Sequence, residues 1–146
     1  VTAEGGILVE LNRIGMVHSP YQSLQQIPRQ GFFSEEESVI EIDEAYAPAL
    51  EHVEESEWLT VLYWAHLAER DRLVTTPPSG TRSCGVFACR APHRPNPLSL
   101  CTVKLLRREG RRLFVQHLDA LDGSAVIDIK PYVDAVGLAC REKDGV

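Results

Sequence analysis

Trp58-Leu-Thr-Val-Leu-Tyr-Trp-Ala-His66 is a nearly continuous apolar run. Its length and its aromatic and β-branched content read as a strand buried on both faces rather than as a helix. Shorter strands are expected on either side of it. Ile7 to Val17 is rich in aliphatic residues, and Glu37 to Ile42 alternates polar with apolar. Further strands are expected at Gly85–Cys89, Ser99–Leu106, Leu113–Leu118 and Ala125–Ile129, with a hairpin turn at Arg108-Glu-Gly-Arg111. Pro20 to Phe33 and Pro77 to Gly80 read as loops. One short helix is expected over Ala45–Glu55, weakened by Pro48 unless that proline lies in its first turn. Many short strands and one helix predict a mainly β chain, a single-domain β-barrel over residues 1–146. No Gly-x-Gly-x-x-Gly opens a helix after a strand, so a Rossmann fold is not supported.

The chain has 146 residues, of which 44% are hydrophobic, enough for one domain with a real core. No stretch reaches the ~18 apolar residues of a membrane span, and Val1-Thr-Ala-Glu-Gly-Gly-Ile7 lacks a basic-then-apolar leader. The expectation is a cytoplasmic protein, with no membrane partner and with Cys84, Cys89, Cys101 and Cys140 reduced. The net charge of −6 is unevenly spread. Residues 30–69 hold eleven acidic residues and no Lys or Arg, whereas residues 70–132 hold eleven basic against five acidic. Any nucleic-acid contact must therefore use the second half; two solvated faces of opposite sign are the plainer alternative.

Two segments carry candidate chemistry. Arg90-Ala-Pro-His-Arg-Pro-Asn-Pro-Leu98 is a loop stiffened by Pro92, Pro95 and Pro97, rich in free carbonyls and flanked by Arg90 and Arg94. It suits a ligand with amino donors and an anionic end. Asp119-Ala-Leu-Asp-Gly-Ser-Ala-Val-Ile-Asp-Ile-Lys-Pro-Tyr132 is a turn followed by a strand with a proline stop. Asp128, Lys130 and Tyr132 share one face of that strand, as a functional set or as a plain surface pair with a neighbour. His66 reads equally as a structural histidine or as a ligand contact. Cys84, Cys89, His93 and Cys101 do not match a common zinc spacing, and burial explains the cysteines more simply.

These segments, with two others, carry a family resemblance. Ile14-Gly-Met-Val-His-Ser-Pro-Tyr21, Pro28-Arg-Gln-Gly31, Gly85-Val-Phe-Ala-Cys-Arg90, Arg94-Pro-Asn-Pro97 and Leu121 to Tyr132 follow one another in the order found in the TrmO family, which this chain resembles over residues 14 to 132. The resemblance implies an unusual β-barrel methyltransferase that uses S-adenosyl-L-methionine. Its substrate would be threonylcarbamoyladenosine, methylated on N6 beside the anticodon of tRNA, and its barrels would pair as a homodimer. It places cofactor contacts at Pro28, Arg29, Gln30, Trp64, Ala65, His66, Arg90, Leu100, Leu121, Asp122, Gly123, Ser124 and Ala125.

The chemistry of that donor adds detail. Arg29, Arg90 and Arg94 suit its carboxylate, and Gln30 suits an adenine or ribose edge. Asp128 is the candidate proton acceptor, with Lys130 or Tyr132 orienting the substrate. Arg107, Arg108, Arg111 and Arg112 would meet the anticodon loop if their hairpin lies near the pocket. The chain departs from the family at Leu98-Ser99, Ser124-Ala125 and Trp64-Ala65, and reads as a short form without the extra C-terminal domain of longer bacterial members. A nucleotide- or RNA-binding module without transfer activity, and a methyltransferase for a small metabolite or protein, remain as alternatives.

Overall fold

A computed structural model describes residues 6–28, 34–78 and 80–134. Six antiparallel strands close a barrel: β1 (Gly15–His18), β2 (Glu37–Ile42), β3 (Trp58–Trp64), β6 (Leu98–Glu109), β7 (Arg112–Gln116) and β8 (Ala125–Pro131). Around the barrel their order is β1-β2-β7-β6-β3-β8. Closure leaves no strand edge unpaired in the barrel. Two further strands, β4 (Val74–Thr75) and β5 (Cys84–Gly85), pair as a separate ribbon.

The alternation expected of a sheet with one inner face sorts the residues. In β3, Leu59, Val61 and Tyr63 are buried while Trp58, Thr60, Leu62 and Trp64 are half-buried. The strand is therefore not buried on both faces, because a closed barrel has a single interior. Val17, Ile40, Ile42, Val103, Leu113, Val115 and Val126 fill that interior from the other strands. The register of β3 against β8 slips between Leu62 and Tyr63, leaving Ile127 as the extra residue of a bulge.

Three expectations need correction or detail. The strand expected over Ile7–Val17 forms only at Gly15–His18, and Ile7, Leu8 and Val9 are exposed by 92%, 80% and 71%. Aliphatic content favours a strand, but the residues before Gly15 have a ladder partner in neither neighbour, since β2 ends opposite Gly15 at Ile42 and the ladder to β8 stops at Val126. Arg13 instead makes a two-point ion pair with Asp43, at 3.1 and 3.2 Å. The strand expected at Gly85–Cys89 is Cys84–Gly85 followed by a 3-10 turn, Val86–Ala88. The short helix takes 3-10 form, Glu44–Leu50 and then Val53–Glu55, interrupted by His52 at φ 65°. Pro48 lies inside it, and a ring without an N–H does not sustain an α ladder. Among the described residues, no helix is long and apolar enough to cross a membrane.

Gly15 lies where β1 presses hardest on β2. A Cβ there would sit 2.4 Å from the Glu41 carbonyl oxygen and 3.1 Å from the Ile42 Cα, both backbone atoms that cannot swing aside. Gly15→Ala is expected to destabilise the barrel by about 1–3 kcal/mol through overpacking. Denaturant unfolding followed by tryptophan fluorescence checks this; an unchanged midpoint would show that the seam can spread.

Candidate functional site

At the end of the barrel where β3 leaves, β6 enters and β7 crosses to β8, the chain surrounds a cavity of about 1450 Å³. One wall is the proline-rich loop, fixed by contacts from the segment after β3. Ala65 N–H donates to the Pro97 carbonyl at 2.9 Å, and Glu69 N–H donates to His93 Nδ1 at 3.0 Å. Arg70 donates to the Pro95 carbonyl at 2.9 Å while its guanidinium lies over the Trp64 ring, 5.1 Å from the centroid. Arg94 turns the other way and ties the loop to the preceding segment. Its Nη2 donates to the carbonyls of Val86 and Cys89, the latter at 2.6 Å. Its buried Nε has no hydrogen-bond partner among the described residues.

The second wall is the Leu121-to-Ser124 turn, held against the chain after β1. Asp122 N–H donates to the Tyr21 carbonyl at 2.8 Å, Gly123 N–H to the Val17 carbonyl at 2.8 Å, and Ser19 N–H to Asp122 Oδ1 at 3.0 Å. Gly123 takes φ 82°, a conformation that suits a residue without Cβ. Ser124, nearly fully buried, donates its hydroxyl back to the Leu121 carbonyl at 2.6 Å.

The floor is a polar cluster inside the barrel mouth. Tyr63, only 7% exposed, donates its hydroxyl to Asp119 Oδ1 at 2.8 Å. Burial, with the Asp119 charge added, pushes its phenol far above the ordinary range, so it remains a proton donor. Cys101 donates to the His117 carbonyl at 3.0 Å, and burial beside Asp119 pushes its thiol up to about 12. A thiol held neutral in this way is a packing group rather than a nucleophile. Cys84 and Cys89 lie side by side away from Cys101, and among the described residues no group of three His, Cys, Asp or Glu side chains could hold a metal.

The residues singled out in the sequence do not all meet in one place. Pro28, Ala65, His66, Arg90, Arg94, Leu100, Leu121, Ser124 and Tyr132 line the large cavity. Trp64 stands behind it as the platform for Arg70, and Asp122 and Gly123 act as backbone clamps of the turn. Ala125 pairs with Met16 in the barrel wall. Asp128 and Lys130 line a different cavity of about 380 Å³, beneath the 3-10 segments. There they pair with each other at 2.8 Å, while Tyr132 lines the large cavity, its N–H donating to the Trp58 carbonyl at 3.0 Å. Arg29, Gln30 and Cys140 lie outside the described residues.

The hairpin arginines sit near the 3-10 segments, and none lines the large cavity. Arg107 pairs with Glu37 and Glu109 and covers Phe114, Arg108 pairs with Glu54, Arg111 donates to the Ile42 carbonyl, and Arg112 pairs with Glu41. Tyr63 and Asp119 were the residues that sequence reasoning missed, whereas Cys101 is the buried packing cysteine expected. Tyr63 passed as one more apolar residue of a strand, although a buried phenol needs a partner and so signals one.

With that geometry established, comparison with known proteins is decisive on kinship. The family model for the tRNA-methyltransferase O N-terminal domain matches residues 16–137, and the chain belongs to this family. An S-adenosyl-L-methionine-binding protein of Archaeoglobus fulgidus is 49% identical over 122 residues, covering 84% of this chain and 88% of the relative. A longer protein of the same organism, described as a probable S-adenosyl-L-methionine-binding protein, is 48% identical over 136 residues; the match covers 91% of this chain but 37% of that relative. The crystal structure of TrmO from Pseudomonas aeruginosa is similar with a TM-score of 0.74 at 32% identity, over 89% of this chain and 58% of that one. The chain thus spans little more than half of the TrmO structure, and its barrel is the shared part.

Arg94 is the link between the two halves of the first wall. Arg94→Ala removes two charge-assisted bonds and strands the Val86 and Cys89 carbonyls, and is expected to cost about 1.5–3 kcal/mol. Limited proteolysis should then cut within residues 84–95 sooner than in the parent chain; an unchanged cleavage pattern would mean the prolines alone fix the loop.

Proposed function

We propose that this chain binds S-adenosyl-L-methionine in the large cavity and transfers its methyl group to N6 of threonylcarbamoyladenosine beside the anticodon of a tRNA. The observation that carries this reading is convergence. Pro28, Ala65, His66, Arg90, Leu100, Leu121 and Ser124 come from separate parts of the chain and line one cavity. The name of the Archaeoglobus relative supports the cofactor, and the family description supports both methyl transfer and tRNA.

When bound, the cofactor supplies an electrophilic methyl group on a sulfonium, and the protein has to position the acceptor and exclude competing water. Arg90 lines the cavity with no hydrogen bond or ion pair among the described residues, which leaves its guanidinium available for the donor carboxylate. Leu121 and Ala65 supply apolar walls. Tyr132 is the member of the Asp128, Lys130 and Tyr132 set that lies beside the cavity, and we assign it to the acceptor. Asp128 is held by the Ile129 N–H at 2.9 Å and by Lys130, so proton removal falls to water at the open mouth. The groups beside the cavity left for an RNA backbone are then His66 and His93 rather than the hairpin arginines.

The test is incubation with labelled S-adenosyl-L-methionine and tRNA bearing the threonylcarbamoyl group, beside tRNA lacking it. Label on the modified tRNA alone is the expected result. Cofactor binding without transfer to either tRNA would overturn the substrate assignment and leave a binding module. Arg90→Ala should weaken cofactor binding roughly tenfold to a hundredfold in calorimetry.

We also propose that two copies pair across the mouth of the cavity. Phe87 is 89% exposed and Leu73 and Val74 are exposed nearby, on the β4–β5 ribbon and the turn that leads to Arg90. Such a patch favours coverage by a partner. Light scattering is expected to give a dimer that Phe87→Glu converts to a monomer; a monomeric parent chain at micromolar concentration would remove the proposal.

A further inference from the structure

The large cavity carries opposite charges close together. Asp119 lies in the crossing from β7 to β8, two residues after His117, whose φ of 71° turns the chain inward. Its Oδ1 is fixed by the Tyr63 hydroxyl at 2.8 Å, and its own carbonyl accepts from the same hydroxyl at 3.3 Å. The Cys101 thiol also lies within reach of its carboxylate, no ion pair neutralises that carboxylate among the described residues, and Asp119 lines the cavity. Arg90 stands on another wall of that cavity. The Cys101 thiol responds to both groups, raised by the Asp119 carboxylate and lowered by the Arg90 guanidinium. Both charges are therefore within a few side-chain lengths of one buried sulfur.

An α-amino acid presents its ammonium and its carboxylate on one carbon. A site for it needs an anchored carboxylate and a guanidinium close to each other, neither already neutralised by the other. No ion pair joins Arg90 to Asp119 among the described residues. We infer that the carboxylate of Asp119, oriented by the Tyr63 hydroxyl, binds the α-ammonium group of the cofactor while Arg90 binds its α-carboxylate. This assignment rests on the proposed cofactor reading and deepens it. Asp119 becomes a specificity residue that distinguishes an amino-acid-bearing nucleoside from a plain one, and Tyr63 becomes its positioning residue.

Truncated ligands separate this from a structural role. Calorimetry would compare S-adenosylhomocysteine, its analogue lacking the amino group, its analogue lacking the carboxylate, and methylthioadenosine, which lacks both. Asp119→Asn keeps the size and can still accept from Tyr63. It should lower affinity for the two amino-bearing ligands about ten- to a hundredfold and leave the other two unchanged. Arg90→Ala should instead weaken the two carboxylate-bearing ligands. Tyr63→Phe should reproduce the Asp119→Asn pattern more weakly, and it gives the answer if Asp119→Asn does not fold. An equal loss for all four ligands would mark Asp119 as structural and overturn the inference, as would no loss for any. Failure of the parent chain to bind S-adenosylhomocysteine would overturn the cofactor reading itself; binding with the wrong pattern would overturn the Asp119 assignment alone.

Discussion

The seam between β1 and β8 is the contact on which the remainder depends. Only Gly15 and Met16 pair directly with β8, opposite Val126 and Ala125. Two ladder positions are a weak lock for a barrel, since each backbone bond adds only about 1 kcal/mol net. The turn that follows extends it. Val17 N–H donates to the Ser124 carbonyl, Gly123 N–H returns to the Val17 carbonyl, and the Ser19 hydroxyl reaches the Ala120 carbonyl at 2.7 Å. The same backbone that closes the barrel forms a wall of the cavity. The Leu121-to-Ser124 turn takes its long-range hydrogen bonds from the chain in and just after β1, so the docking of β1 also completes that wall.

Much of this was legible in the residues. The strand positions at Glu37–Ile42, Ser99–Leu106 and Leu113–Leu118 follow from their polar and apolar alternation, and the cavity wall from three prolines in Arg90–Leu98. What was not legible depended on partners distant in the chain. Ile7 to Leu11 have strand composition but no ladder partner, and composition says nothing about ladder partners. Trp58–Trp64 looked buried on both sides because its outward residues, such as Leu62 and Trp64, are themselves apolar. Asp128 and Lys130 sit in the strongest motif of the chain, yet they line the smaller cavity beneath the 3-10 segments while Tyr132, just beyond them, lines the large one. Sequence spacing cannot reveal which of two cavities a residue faces.

The uneven charge also resolves into structure. The acidic first half and the basic second half meet across β2, β6 and β7, where Arg107 and Arg112 pair with Glu37 and Glu41. Pairs of this kind on a surface contribute little stability individually. Their larger effect is to cancel a positive field at the hairpin, which leaves the basic second half without a free cationic face there. The cavity lining itself mixes both signs, with Glu55, Glu57, Asp119 and Asp134 beside Arg90 and Arg94.

The clamping of the proline-rich loop has a thermodynamic consequence. Three prolines have lost most of their backbone freedom before folding begins, and Arg70, Arg94 and the Ala65 amide remove much of what remains. A ligand entering this cavity meets a wall whose ordering entropy was spent during folding. Binding is then relieved of that cost, and the heat capacity change on association should reflect buried surface rather than a loop settling into place.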